Sequence, residues 1–196
     1  MKLRTTTLMG IDLAAIPTNP TGLALLKSKK VKTSLVLTNR ELIRSITKYK
    51  PTLLAIDAPL SLPKKGSYRK ADIEMIKRGY RVFAPDFPSM KVLTLRAIRL
   101  ADTLTKKGFN IIEVHPTSTR KALEMPLKKW KEIEEIFNKI GLKREPKEHK
   151  LTPHEIDATT AVLTAYLYVK NQTELIGDEE GYIIVPTRRN WRTIKA

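Results

Sequence analysis

Leu8-Met9-Gly10-Ile11-Asp12-Leu13-Ala14 is an apolar run with one acid in its middle, and Thr52-Leu53-Leu54-Ala55-Ile56-Asp57 is a second apolar run that ends on one. Short apolar runs bounded by turn residues read as buried strands. An ionised carboxylate in such a strand is costly unless it is paired or holds a metal ion. Working outward, Pro17-Thr18-Asn19-Pro20-Thr21-Gly22 is dense in turn residues and leads into Gly22-Leu23-Ala24-Leu25-Leu26, so the first two runs predict a hairpin. Val31 to Leu37 gives a third strand. Asn39 is the expected N-cap of a helix reaching Tyr49, with Leu42, Ile43 and Ile46 at helical spacing. Three strands, a helix and a returning strand that stops at Ala58-Pro59 predict a mixed sheet, because the helix supplies the crossover.

From Leu60 to Ser89 the chain reads as irregular, bounded by prolines and basic, with a short helix near 70–77. A longer amphipathic helix is expected over 89–107, and Asn110-Ile111-Ile112-Glu113-Val114 is a fifth strand carrying another acid, closed by Pro116. Helical stretches around 117–124 and 128–140 follow, then a charged linker at 146–150. Thr152-Pro153-His154-Glu155 is a capping box with proline at the first helical position, and it starts a helix over 153–169. Residues 177–186 read as a turn and a short strand. The expectation is one α/β domain over residues 1–196, without internal repeats.

Composition narrows the chemistry. The 196 residues are 41% hydrophobic with 8 Gly and 12 Pro, a globular balance. Cysteine is absent, which excludes disulfide scaffolds, thiol nucleophiles and thiolate zinc sites. No apolar run approaches the roughly 20 residues of a membrane span, and Met1 to Gly10 lacks a signal-peptide pattern, so a soluble cytoplasmic protein without membrane partners is expected. The 37 Lys+Arg against 20 Asp+Glu give +17, and the first hundred residues hold 20 of the former and 6 of the latter. Residues 60–100 interleave ten basic residues with Tyr68, Tyr80, Phe83 and Phe87. That mixture suits a phosphate backbone with stackable bases. The alternative is a solvated lysine-rich surface of the kind thermophile proteins carry.

Asp12, Asp57 and Glu113 each lie in or at the end of a predicted buried strand, and Asp157 lies one turn into the last helix beside the small residues Ala158 and Ala161. If these strands are neighbours the acids converge, and clustered oxygen ligands suit Mg²⁺ or Mn²⁺. Two such ions roughly 3.5–4 Å apart can activate water and stabilise a leaving oxygen. Each acid also has a plainer reading: Asp57 accepting turn hydrogen bonds, Asp12 paired with a lysine, Glu113 facing solvent on an edge strand. Glu155 reads as the reciprocal cap of its own helix. His154 is three residues before Asp157 and can share its helix face, or be an ordinary exposed first-turn histidine. His115 and His149 read as structural.

The order Gly10-Ile11-Asp12, Thr21-Gly22, Ala55-Ile56-Asp57-Ala58-Pro59-Leu60, Glu113-Val114-His115-Pro116 and Asp157-Ala158 resembles the ribonuclease-H-like superfamily. More narrowly, it resembles a family of predicted nucleases of that fold, whose pattern includes Arg69-Lys70-Ala71-Asp72, Gly79 to Pro85 as Gly-x-Arg-x-Phe-x-Pro, and Gly177-Asp178, Gly181 and Pro186. The resemblance implies a five-stranded mixed sheet, three antiparallel strands followed by parallel ones, flanked by helices, with the basic segment 60–90 inserted after strand 4. It implies Asp12, Asp57 and Asp157 as ligands of two Mg²⁺ or Mn²⁺ ions, with Glu113 or His154 completing a shell or orienting water. Holliday-junction resolvases of the RuvC type are similar in mechanism: His154 precedes Asp157 by three residues, and Pro116 is followed at Arg120, with Lys121 beside it, by a basic residue where they carry lysine. They usually carry glutamate where Asp57 stands, and neither their dimer interface nor the 60–90 insertion is shared, so a homodimer stays open.

These readings point to a divalent-metal-dependent nuclease acting on DNA or RNA, with Arg69, Arg81, Arg120 and Lys121 on phosphates. A non-catalytic nucleic-acid binder is the alternative, expected to show steep salt dependence without metal dependence. An actin-like nucleotide phosphotransferase would need two such domains, and no Gly-x-x-x-x-Gly-Lys-Ser/Thr loop is present.

Overall fold

The two acid-bearing runs become the middle of a single sheet. The computed structural model of the chain describes residues 6–145 and 149–195. Its strands are β1 (Thr7–Asp12), β2 (Thr21–Lys27), β3 (Lys30–Val36), β4 (Leu53–Asp57), β5 (Ile111–Val114), β6 (Lys143–Arg144), β7 (Thr173–Asp178) and β8 (Gly181–Pro186). The helices are α1 (Asn39–Tyr49), α2 (Lys70–Lys77), α3 (Pro88–Lys106), α4 (Pro116–Ala122), α5 (Trp130–Lys139) and α6 (Pro153–Val169). The strands run in the order β6-β3-β2-β1-β4-β5-β8-β7.

The centre, β3-β2-β1-β4-β5, has the expected pattern: β1 pairs antiparallel with β2 and parallel with β4, and β4 pairs parallel with β5. The sheet has eight strands among the described residues, not five. The expected tail strand is β8, which adds parallel to β5, and it carries β7 back antiparallel as the sheet's edge. At the other edge the two residues of β6 pair with β3. Two smaller corrections concern helix starts. α1 is capped by Thr38, whose hydroxyl accepts from the Glu41 N–H while the Glu41 carboxylate accepts from the Thr38 N–H, so Asn39 is inside the helix. α3 begins at Pro88, one residue before Ser89. The centre of the expected charged linker, 146–148, lies outside the described residues.

Both faces of the sheet are covered, which is why β1 and β4 are apolar throughout. Leu8, Leu53, Ala55, Ile112 and Val114 pack against α6 and α5, while Met9, Ile11, Leu54 and Ile56 pack against α1 and α3. A third apolar cluster lies between α2 and the β7–β8 hairpin. α6 is buried almost all round, yet it contains Thr159, Thr160 and Thr164. Each threonine hydroxyl donates to the carbonyl one turn back, at 2.7, 2.9 and 3.1 Å, so no hydroxyl donor is stranded in the core.

Glycine sets how close α6 comes. A Cβ on Gly10 would lie 2.1 Å from the Ala158 carbonyl oxygen and 2.5 Å from the Val162 nitrogen. One on Gly22 would lie 2.2 Å from the His154 carbonyl oxygen. The first turns of α6 therefore rest directly on the backbone of β1 and β2, and this contact brings His154 and Asp157 to the end of β1.

Candidate active site

Asp12 is the last residue of β1 and Asp57 the last of β4, and the two are register partners on adjacent parallel strands. Registered neighbours on a sheet share a face, and adjacent strands are about 4.8 Å apart. The two carboxylates therefore leave the carboxyl edge of the sheet side by side. This is the edge at which open α/β sheets bind ligands. Asp157 approaches the same edge from α6. His154, one turn earlier, places Nδ1 2.7 Å from Asp12 Oδ2. This bond fixes the orientation of the imidazole ring through Nδ1.

The electrostatics are those of crowded, part-buried acids. Burial lifts the Asp12 carboxyl to about 6; the His154 hydrogen bond opposes the rise and the Asp157 charge adds to it. Asp57 is pushed well above the ordinary carboxylate range, by burial first and then by the charges of Asp12 and Asp157. Arg120 acts against both shifts, and its guanidinium bonds directly to Asp157. This negative potential, offset only in part by Arg120, suits a hard divalent cation, and two carboxylates with water and phosphate oxygens are a normal Mg²⁺ ligand set. Among the described residues no group of three or more His, Cys, Asp or Glu side chains is gathered to hold a metal. Asp12 faces His154, and Asp157 faces Arg120.

Glu113 borders the same cleft as Asp12 and Asp57 and its charge adds to the Asp57 shift, but it reaches the cleft from another side and is bonded to Arg69. Its register partner on β4 is Ile56, one residue out of step with Asp57, so its side chain leaves the opposite face of the sheet. There it is 6% exposed and bonded to Arg69 at 2.6 and 2.7 Å and to the Leu60 N–H at 2.8 Å. Burial pushes its pKa up and Arg69 opposes the shift.

Arg69 was expected to hold phosphate, and its geometry leaves it no means to do so. It is 0% exposed. All five of its N–H donors are engaged: Nε and Nη2 to Asp72, Nη1 and Nη2 to Glu113, and Nη1 to Ser61. Arg69 fastens the start of α2, and with it the basic insertion, to β5.

Arg120 does lie at the acid cleft but is 1% exposed. Lys121 is exposed, and its Nζ donates to the Gly79 carbonyl at 2.6 Å, tying α4 to the insertion. Arg81 is exposed and shares a groove with Tyr80, Thr117, Ser118 and Lys121 beside the cleft. Glu155 is the reciprocal cap read from sequence, and His149 supports it at 2.9 Å. His115 caps α4 by accepting from the Ser118 N–H, and burial lowers its pKa to about 4.

The cleft itself, bordered by Asp12, Asp57, Glu113, His115, Phe83 and Met90, measures about 190 Å³. That is below the roughly 300–1,000 Å³ of pockets that enclose small molecules. It suits an ion, water and a phosphate group, with a larger substrate lying outside. Phe83 stands at its mouth, 74% exposed.

Several positions build the site in ways that the sequence did not reveal. Gly10 and Gly22, quoted above only as parts of motifs, set the height of α6. Glu180, in the β7–β8 turn, accepts from the backbone N–H groups of Lys64 and Lys70 at 2.9 and 3.3 Å. The Gly177-Asp178 to Gly181 motif thus holds the insertion in place.

No protein-family model matches the chain, and no curated protein matches it in sequence. Solved structures do. Thermus thermophilus RuvC in complex with a Holliday junction substrate aligns over 85% of this chain and 96% of its own, with a TM-score of 0.54 at 15% identity. A second Thermus thermophilus RuvC structure aligns over the same shares, with a TM-score of 0.50 at 16% identity. At this identity the likeness is one of fold alone: the chain shares the overall architecture of these RuvC structures. Among the described residues no helix is long and apolar enough to cross a membrane.

Proposed function

We propose that the protein is a divalent-metal-dependent nuclease that hydrolyses phosphodiester bonds in nucleic acid. The observation that carries this reading is the in-register pair Asp12 and Asp57 at the carboxyl edge of the sheet, with Asp157 delivered beside them by α6. The RuvC-like architecture supports it, as does the net charge of +17.

Asp12 and Asp57 are the residues that would hold Mg²⁺ or Mn²⁺. Such an ion supplies an activated water and stabilises charge on the phosphate oxygens. The chain provides the rest. His154, steadied through Nδ1 by Asp12, presents Nε2 to take or return a proton at the edge of the cleft. Arg81 and Lys121 attract the phosphate backbone along the adjoining groove. Phe83 offers a face on which a base can stack. Arg69, Glu113 and Asp72 act by fixing the insertion that carries Arg81 and Phe83.

The test is cleavage of a panel by the purified protein, with Mn²⁺, with Mg²⁺ and with EDTA. The panel holds single-stranded DNA and RNA, duplex DNA, an RNA–DNA hybrid, and a four-way junction of the kind bound by the RuvC structure. Cleavage of at least one substrate, abolished by EDTA, is expected. Metal-independent binding without cleavage of any member would instead identify a non-catalytic binder.

A further inference from the structure

Arg69 and Arg120 are both fully buried, and they are bonded in opposite ways. Arg69 has every donor engaged, against two carboxylates. Arg120 faces one carboxylate, Asp157, and is held otherwise by weak or neutral partners. Thr160 Oγ1 accepts from it at 3.2 Å, Thr117 Oγ1 lies at 3.5 Å, and the Trp130 ring lies 5.6 Å from the guanidinium carbon. Its Nε has no hydrogen-bond partner among the described residues. A guanidinium does not deprotonate in proteins. The site therefore contains a permanent, incompletely bonded cation whose field reaches Asp12 and Asp57 as well as Asp157.

We propose that Arg120 is the resident cation of this cleft: it holds Asp157 out of metal ligation, so that one divalent ion binds, between Asp12 and Asp57, in place of the two that the fold resemblance implies. The inference rests on the metal-nuclease reading above and narrows it.

Two arguments support it. If Asp157 turned to a second ion, Arg120 would be left as a buried charge with no counter-charge, which is the costly half of a broken buried pair. That second ion would also lie next to the guanidinium, so like charges would repel at short range.

The experiment counts ions without using activity. Full-length protein is dialysed to equilibrium against Mn²⁺, alone and with a phosphorothioate-blocked single-stranded DNA, and the bound Mn²⁺ is examined by electron paramagnetic resonance. One Mn²⁺ per chain, without the spectrum of a coupled ion pair, is expected in both conditions. Asp57→Asn should weaken binding at least tenfold. Arg120→Gln, confirmed as folded by circular dichroism, frees Asp157 and should take up a second, spin-coupled ion. Two ions per wild-type chain would overturn this inference and leave the nuclease reading standing, as would a folded Arg120→Gln that still binds one. No Mn²⁺ at millimolar concentration would overturn both.

Discussion

Replacing Arg69 separates an architectural role from a substrate-binding one. In Arg69→Gln, Glu113 keeps only the Leu60 N–H and Asp72 only the Arg69 backbone N–H among the hydrogen bonds they now make in this cluster. Removing one side of a buried ion pair costs about 3–5 kcal/mol. Unfolding entropy of about 2.1 cal/mol/K per residue gives ~0.4 kcal/mol/K for a chain of this length. The melting temperature should therefore fall by about 7–12 °C. Adding Glu113→Gln removes one of the stranded charges, and a double-mutant cycle should return a coupling of about 1–3 kcal/mol. The assay pairs thermal unfolding with nucleic-acid affinity across a salt series, run well below the melting point. Arg69→Gln should leave the salt slope unchanged, whereas Arg81→Ala should reduce it by about 0.9. An Arg69→Gln protein that melts within a degree of wild type but binds nucleic acid more weakly with a shallower slope would refute this reasoning.

Other expectations follow from the same geometry. Gly10→Ala sets a Cβ against the α6 backbone at 2.1 Å, so the helix must lift; a loss of ~3 kcal/mol in urea unfolding should accompany a roughly 100-fold loss of cleavage. Asp57→Asn removes a charge that burial and its neighbours both disfavour, and should melt at or above the wild-type temperature while losing cleavage. His115 is held neutral, with its pKa lowered from 6.5 to about 4. Below pH ~6.5 the unfolded chain takes up a proton that the folded chain refuses, so stability should fall as the pH drops toward ~4, by up to about 3 kcal/mol. His115→Asn, which keeps a capping oxygen, should lose that part of the acid sensitivity in pH-dependent unfolding.

The aspartates were legible in sequence because a carboxylate inside an apolar strand is conspicuous by itself. The capping box that places Asp157 one turn into α6 was equally local. Glu113 looked the same as Asp12 from the sequence, but a single step of register sends it to the other face of the sheet. Its partner Arg69 is 44 residues away, and no local pattern announces a buried pair at that separation. Strands β6 and β7 were missed for another reason. β6 has two residues, and β7 is an edge strand with Leu175 exposed, so neither shows an apolar run. Their place in the sheet comes from hydrogen bonds to strands distant in sequence. The start of α1 was misjudged by one residue because Asn39 is itself a good cap; the Thr38 to Glu41 spacing was the stronger signal.

The central claim is that Asp12 and Asp57 form the metal-binding heart of a nuclease. It is tested most directly by comparing wild type with Asp12→Asn in Mn²⁺-dependent cleavage, using the best substrate of the panel and checking nucleic-acid affinity alongside. The variant should remain folded, bind the substrate within about threefold of wild type, and cleave it at least ~1,000-fold more slowly. Cleavage by Asp12→Asn at the wild-type rate would contradict the account.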